Sequence, residues 1–321
     1  MANTVRPAAE PAPQPQQPKK MHKRFQSPGD RIFDTLNVLV LSLLVVFTLY
    51  PFINTLAVSL NDANDSIKGG IYLLPRDLSF DNYKYVFKEA TIFHATLISI
   101  LRTVIGTVVT VFCSAMVAYT ISRPEFVLRK FVTIMFILTM YLNGGLIPNY
   151  LLMRDLDLIG TFWVYIVPGI IGVFNMIVIR SFIEGLPDGI IESARIDGAG
   201  EFRTFIQIVV PLALPALATV ALFTGVYQWN SWFDVFLYNS EKVNLSTLQY
   251  ELMKMLANSN SNSSMTSASA FANSANSSSN FVTPSSIRAT MTIVASLPMI
   301  IVYPFLQKYF VKGMTVGGVK G

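Results

Sequence analysis

Charge, cysteine and histidine are all scarce in this chain, and each shortage excludes something. Only 13% of the 321 residues are charged, about half the share of an ordinary soluble domain. With 52% hydrophobic residues, that composition belongs to an integral membrane protein. The single cysteine, Cys113, lies in an apolar run, so no intrachain disulfide can form and the residue reads as a small buried hydrophobe. Carboxylates are missing between Glu125 and Asp155, Asp157 and Glu184, Glu201 and Asp234, and after Glu251. Carriers driven by protons or sodium need ionisable groups at membrane depth, so this pattern argues against one. Arg102 falls in or beside a span, near its outer boundary, where a long side chain can snorkel to water. His94 is similarly peripheral. No G-x-x-x-x-G-K-S/T phosphate loop occurs, and Gly198-Ala199-Gly200 is only a fragment of a glycine-rich turn. Nor is there a paired carboxylate, a Ser/His/Asp set or a metal-ligand cluster, so the chain is not expected to be an enzyme or to bind a cofactor itself.

The apolar residues gather into six runs long enough to cross a bilayer, near 35–59, 99–122, 131–153, 161–183, 206–233 and 287–311. The first and fourth are the clearest. The third is interrupted by Asn143-Gly144-Gly145 and Pro148, a break tolerated where backbone faces protein or a water-filled cavity. Residues 1–30 form a Pro/Gln-rich, then basic, tail that is expected to be disordered and lacks the pattern of a signal peptide. Lys and Arg divide fifteen to eight between alternate connections, which puts both termini and the 184–205 loop in the cytoplasm. The loop 257–284 is unusual. From Asn258 to Asn280, sixteen of 23 residues are Ser or Asn with no charge, which suits a flexible external flap, either a tolerated insertion or a loop that touches a ligand or partner.

The 184–205 loop carries a polar island between apolar spans. Pro187-Asp188-Gly189 starts a helix with Asp188 as N-cap and Glu192 in the first turn. Ile190, Ile191, Ala194 and Ile196 supply an apolar side, and Gly198 ends the helix by taking a left-handed conformation. A second helix follows from Glu201 to Ile208 with Phe202, Phe205 and Ile206, and Pro211 and Pro215 sit at the base of the fifth span. Two short helices joined at a glycine either seat in another protein's cleft or lie on the membrane as an amphipathic loop.

At these residues the chain resembles the permease subunits of ATP-binding-cassette importers. Their motif runs Glu-Ala-Ala, three residues, Gly, nine residues, Ile-x-Leu-Pro. Here it reads Glu192-Ser193-Ala194, Gly198, then Ile208-x-Val210-Pro211, with Ser for Ala and Val for Leu. Arg76-Asp77-Leu78-Ser79-Phe80-Asp81-Asn82-Tyr83 with Val86-Phe87 is similar to the segment after the first span in carbohydrate permeases. Gly313 to Gly321 looks like the tail of the MalG-type subunit of maltose importers. Gly144-Gly145-Leu146-Ile147-Pro148 and Thr283-Pro284 with Ile287-Arg288-Ala289 resemble a MalG-like oligosaccharide subgroup. The resemblance covers residues 30–321.

That resemblance implies an all-α integral membrane permease of the type I (MetI/MalG-like) fold, with six transmembrane helices and a cytoplasmic coupling helix, in a bacterial inner membrane. It implies a second permease subunit, two cytoplasmic ATPases that hold ATP and magnesium, an extracytoplasmic solute-binding protein, surrounding lipid, and no nucleic acid. Glu192, Ser193, Ala194, Asp197, Gly198, Ile208 and Pro211 would meet the ATPase, and Gly317, Gly318 and Lys320 in the tail would reach toward it. The cargo would be an oligosaccharide, in its narrowest form an acidic one such as alginate fragments. Tyr141, Asn143 and Tyr150 in span three, with Tyr227, Gln228 and Asn230 in span five, join aromatic faces to amides, the mixture that sugars need. An interfacial aromatic belt, with Trp229 and Trp232 among its members, is the alternative for these residues. The rival functions are a secondary carrier of a neutral solute and a membrane scaffold that transports nothing.

Overall fold

The computed structural model describes residues 28–88, 90–265 and 283–318, with backbone alone for 90, 188, 258–265 and 305–318. The Pro/Gln tail, most of the Ser/Asn-rich loop and Lys320 lie outside these residues. Among the described residues, regular structure is helical apart from one antiparallel bridge between Asn61 and Leu78. The chain divides into two units inside helix α1 (Pro28–Ser59), one up to Pro51 and one from Phe52 onward. In the first unit Val38, Leu39, Leu43 and Phe47 are all exposed, so α1 there is apolar on every side, as a helix whose solvent is hydrocarbon must be.

In the second unit, α1 is followed by the short helices α2 (Ala63–Ile67) and α3 (Asp81–Lys88). The buried Asn61 organises this turn: its Oδ1 accepts the Arg76 and Asp77 N–H groups at 2.7 and 3.0 Å. Buried Asn82 donates to the Ser59 and Asn61 carbonyls, so the Arg76–Tyr83 motif folds as a clasp against the end of α1. Arg76 pairs with Asp65 at 2.9 Å. A hydrogen bond from Asn61, and then Arg76, hold the Asp65 carboxyl below its ordinary range.

Helix α4 (Ala90–Ser122) begins nine residues before the expected start of the second span. Arg102 is therefore roughly 18 Å along the helix from Ala90 at 1.5 Å per residue. It is 1% exposed. The expectation that Arg102 snorkels at the membrane boundary is corrected by this burial.

Counted as crossings, α1, α4 and α14 (Pro284–Gly318) are long and apolar enough on their own, and three bent helix pairs bring the number to six if each pair is one span. The third expected span is α5 (Arg129–Tyr141) and α6 (Leu146–Asp155), set at 119°. Gly145 at φ +87° makes that corner, and its N–H is held by Asn143 Oδ1 at 2.9 Å. The fourth span is also broken. Two 3-10 turns, Phe162–Tyr165 and Val167–Gly169, meet α7 (Val173–Ile183) at 49°. Pro168 lacks an N–H and suits such a short turn better than a helix interior. The fifth span consists of α9 (Glu201–Thr204), a π turn (Phe205–Val209), α10 (Val210–Leu212) and, at 81°, α11 (Leu214–Asn230). Pro211 and Pro215 each remove a helical donor on either side of Ala213, where the chain turns. The chain continues through α12 (Phe233–Asn239) and α13 (Leu248–Met265). The Ser/Asn-rich segment, expected as a flap, thus begins as helix.

Helix α4 packs against α7 and α11 to form the core. At Gly106 a Cβ would lie 2.8 Å from Gln228 Nε2, so any side chain there would displace Gln228 from its place against α4. Side chains of α4 also satisfy the broken fourth span: Thr110 donates to the Gly169 carbonyl at 3.0 Å, and Ser114 Oγ accepts the Gly172 N–H at 3.1 Å. Helix α14 starts on Pro284 behind Thr283, whose hydroxyl accepts the Ser286 N–H, a capped start. Trp229 is 4% exposed and donates its indole N–H to the Ala295 carbonyl at 2.8 Å. It joins α11 to α14, so the aromatic-belt alternative fails for Trp229.

Trp229→Phe removes that donor and part of the buried ring. It is expected to cost about 1–3 kcal/mol, read as a lower thermal midpoint in detergent. An unchanged midpoint would show that the indole bond does not join α11 to α14.

Candidate functional site

Two places gather the polar side chains. The first is the knob between spans four and five. Helix α8 (Asp188–Ile196) has Pro187 in the cap position, one residue before the expected cap Asp188. It ends on Gly198 at φ +78°. The Gly198 N–H bonds to the Arg195 carbonyl and the Ala199 N–H to the Ala194 carbonyl, at 3.0 and 2.9 Å, which is the paired closure that a left-handed glycine permits.

Ile191 and Ala194 are buried, Ile191 among α4, α7 and the π turn, whereas Glu192, Ser193, Asp197 and Gly198 are exposed. Glu192 makes no ion pair among the described residues. Ile196, expected on the packed side, is instead 85% exposed, and Phe202 is exposed beside it in sequence on α9. Ile208 is half-buried in the π turn and Pro211 is exposed on α10. Gly317 and Gly318 are the last residues of α14.

Arg195 ties this knob down. Its guanidinium pairs with Glu125, and with Glu201 Oε1 at 3.0 Å; the Tyr119 hydroxyl donates to Glu201 Oε2 at 2.6 Å. One residue of α8 thereby links the 123–128 loop, α9 and the end of α4. Tyr119 also packs its ring on Phe205 of the π turn, with centroids 5.5 Å apart. The sequence gives no spacing rule for this set, because its four residues come from four segments.

The second place is a polar track inside the helices. A cavity of about 260 Å³ is lined by Arg102, Asn149, Tyr165, Tyr227, Gln228, Phe233, Asp234 and Tyr238, among others. A second, of about 290 Å³, shares Gly169, Tyr227 and Gln228 with it and adds Thr110, Asn175 and Thr224. A third, of about 470 Å³, shares Tyr227, Phe233 and Asp234 and adds Asn230 and Ser231. All three meet at Tyr227, which is 70% exposed. The broken fourth span, at Gly169–Gly172, forms part of the wall.

Arg102 anchors the track. It donates from Nε to Gln228 Oε1 at 2.9 Å, from Nη1 to Asp234 Oδ1 at 3.0 Å, and from Nη2 to Asp234 Oδ2. Its guanidinium lies 4.7 Å from the centre of the Tyr165 ring. Of the expected sugar contacts, Tyr227 and Asn230 line the track. Gln228 does so too, but it is 3% exposed and committed to Arg102. Tyr150 stacks on Tyr238 at 5.9 Å and so reaches the track through a second ring. Tyr141 and Asn143 lie at the α5–α6 corner and line none of these cavities. Asn149, Asn175 and Asp234 join the track without having been singled out. A lone arginine and a lone carboxylate bordering apolar runs were the signal for the ion pair.

The knob's ion pairs set a pH dependence. The Arg195 hydrogen bond holds the Glu125 carboxyl below its ordinary range, and Glu125 in turn raises the Arg195 guanidinium. A carboxyl that titrates lower in the folded state contributes fully above its unfolded value, about 4.3, and loses that contribution as pH falls through the lowered one. The Glu125 side chain is 57% exposed and that of Arg195 34%, so solvent screening limits the pair to about 1 kcal/mol or less. Glu125→Gln is expected to lower the thermal midpoint by about 1.5 °C at most at neutral pH and to make no difference once the pH is below the carboxylate range. Equal losses at both pH values would remove the ion pair as the cause.

Known proteins give this geometry a context. Residues 99–316 match the family described as binding-protein-dependent transport system inner membrane component. The chain is 33% identical over 295 residues to the polygalacturonan/rhamnogalacturonan transport system permease protein YtcP of Bacillus subtilis (strain 168), covering 91% of this chain and 99% of that one. It is 34% identical over 303 residues to protein LplC of the same organism, covering 94% and 99%. Among solved structures, a chain from a bacterial ABC transporter involved in the import of the acidic polysaccharide alginate superposes with a TM-score of 0.79 at 28% identity, covering 90% of this chain and all of that one. With the family match spanning most of its length, this chain belongs to the binding-protein-dependent transport system inner membrane components, the permease subunits of ABC importers.

Proposed function

We propose that this chain is one of two different permease subunits in an ATP-driven importer that takes an oligosaccharide from an extracytoplasmic solute-binding protein and passes it to the cytoplasm. The observation that carries this reading is the knob. Helix α8 is closed by a left-handed glycine and fixed by Arg195, yet it leaves Glu192, Ser193, Ile196 and Asp197 uncovered. That is the shape of an element built to seat in a cleft. In this reading the cleft belongs to a cytoplasmic ATPase, one of two, which holds ATP and magnesium. Both termini and α8 then lie on the cytoplasmic side, as the Lys and Arg distribution favours, and Gly317, Gly318 and Lys320 extend toward the ATPases.

Closure of the ATPases pulls the knob. Arg195, Glu201 and Tyr119 transmit that displacement to α4, and α4 carries it to the track at Arg102. The permease binds, releases and moves; no bond of the cargo is made or broken. A sugar cargo is supported by the track's mixture of rings and amides (Tyr227, Tyr238, Asn149, Asn230, Asn175) and by the oligosaccharide systems in which relatives work, arabinooligosaccharides among them. An acidic cargo such as alginate is the narrower form of this reading, from the importer that supplies the solved structure. A proton-driven carrier would need an unpaired carboxylate at membrane depth, and Asp234 is instead paired with Arg102.

Glu192→Ala and Gly198→Asp are expected to abolish or uncouple ATP-dependent sugar uptake while the chain remains inserted. At Gly198 a side chain must adopt a positive φ at a cost of about 1–2 kcal/mol. Copurification in mild detergent should return a second permease and an ATPase with the unmodified chain, and less ATPase with either variant. Normal uptake by both variants would sink the coupling role. Recovery of this chain alone, transporting without ATP, would favour a secondary carrier.

A further inference from the structure

We propose that the cavity beside Arg102 receives an uncharged glycosyl unit of the cargo, and that Asp234 is the residue that turns a uronate away. The inference rests on the sugar reading above and opposes its narrower, acidic form.

A bare arginine in a cavity would invite a carboxylate. Arg102 is not bare. Asp234 and Gln228 take three of its five N–H donors, the Ser231 carbonyl takes a fourth from Nη1 at 3.3 Å, and the Tyr165 ring covers one face. Its side chain is 1% exposed, against 25% for that of Asp234. The charge that a ligand meets at the cavity surface is therefore the carboxylate.

Asp234 Oδ1 already accepts from Arg102 and from the Val235 N–H at 2.9 Å. Among the described residues Oδ2 accepts from Arg102 alone, which leaves acceptor capacity for a hydroxyl. Tyr227, Phe233 and Tyr238 offer ring faces to sugar C–H groups, and the Asn149 amide can donate and accept. A hydroxyl donor is thus welcome at Asp234. A second carboxylate at the same place meets the like charge of Asp234 and is repelled.

Trigalacturonate and its fully methyl-esterified form have the same sugar skeleton and differ in charge. With the chain in nanodiscs together with the subunits that copurify, saturation-transfer NMR reads the binding of each. The ester is expected to bind about tenfold or more tightly than the free acid, and Asp234→Asn to erase or reverse that ratio. Asparagine keeps an oxygen for Arg102 but removes the negative charge. Should that variant fail to fold, the unmodified protein still decides the matter, because raising salt must narrow the ratio if charge repulsion sets it. Tyr227→Ala should remove most of the ester's signal. Preference for the free acid, silence from both forms, or a ratio indifferent to salt and to a folded Asp234→Asn overturns the inference. The sugar reading falls separately, if the assembled importer takes up no oligosaccharide with ATP.

Discussion

A single buried cation constrains the middle of this protein. The guanidinium of Arg102 sits within an otherwise apolar helix, and removing either member of such a pair costs about 3–5 kcal/mol. Asp234, Gln228 and Tyr165 must all reach it, and they come from α12, α11 and the 3-10 turn at Phe162. Four segments are thereby obliged to converge, and Gly106 leaves the room that the Gln228 side chain occupies against α4. The cavities lie where these segments meet but do not close, so the polar track follows from neutralising one charge.

The breaks in spans three, four and five serve the same end. In hydrocarbon every backbone N–H and C=O must find a partner within the protein, and α4 supplies two of those partners to the broken fourth span through Thr110 and Ser114. Helix α4 is itself unbroken over 33 residues. It holds Arg102 toward one end and Tyr119 toward the other, roughly 25 Å apart at 1.5 Å per residue. A displacement of the knob at Arg195 thus reaches the track through one stiff rod, while the breaks at Ala213 and at Gly169–Gly172 are the natural places to bend.

Much of this was legible in the sequence, because spans and caps are local. The apolar runs, the interrupted third span, and the Glu192–Gly198 helix with its glycine stop follow from length, donor loss and left-handed backbone. The rest depends on contacts between distant segments. Arg102 reads as a boundary residue only while α4 is taken to begin at 99; nine more residues of helix carry it inward. The fourth span looks continuous because Pro168, Gly169 and Gly172 are few among many apolar neighbours, yet they set a 49° bend. Gln228 and Trp229 are adjacent aromatic-and-amide candidates in sequence, but the helix sends one to Arg102 and the other to Ala295. Neither assignment is visible without the facing helix.

The knob's uncovered apolar residues have a consequence for the cell. Ile196 at 85% exposure and Phe202 at 64% are bare in the single chain, and in the proposed assembly the ATPase would cover them. A chain made in excess of its partner carries that adhesive patch bare and is open to aggregation and to quality-control proteases. In the proposed assembly the surface that meets the ATPase would then also police subunit stoichiometry, with orphaned copies removed because they are unassembled rather than because they are misfolded.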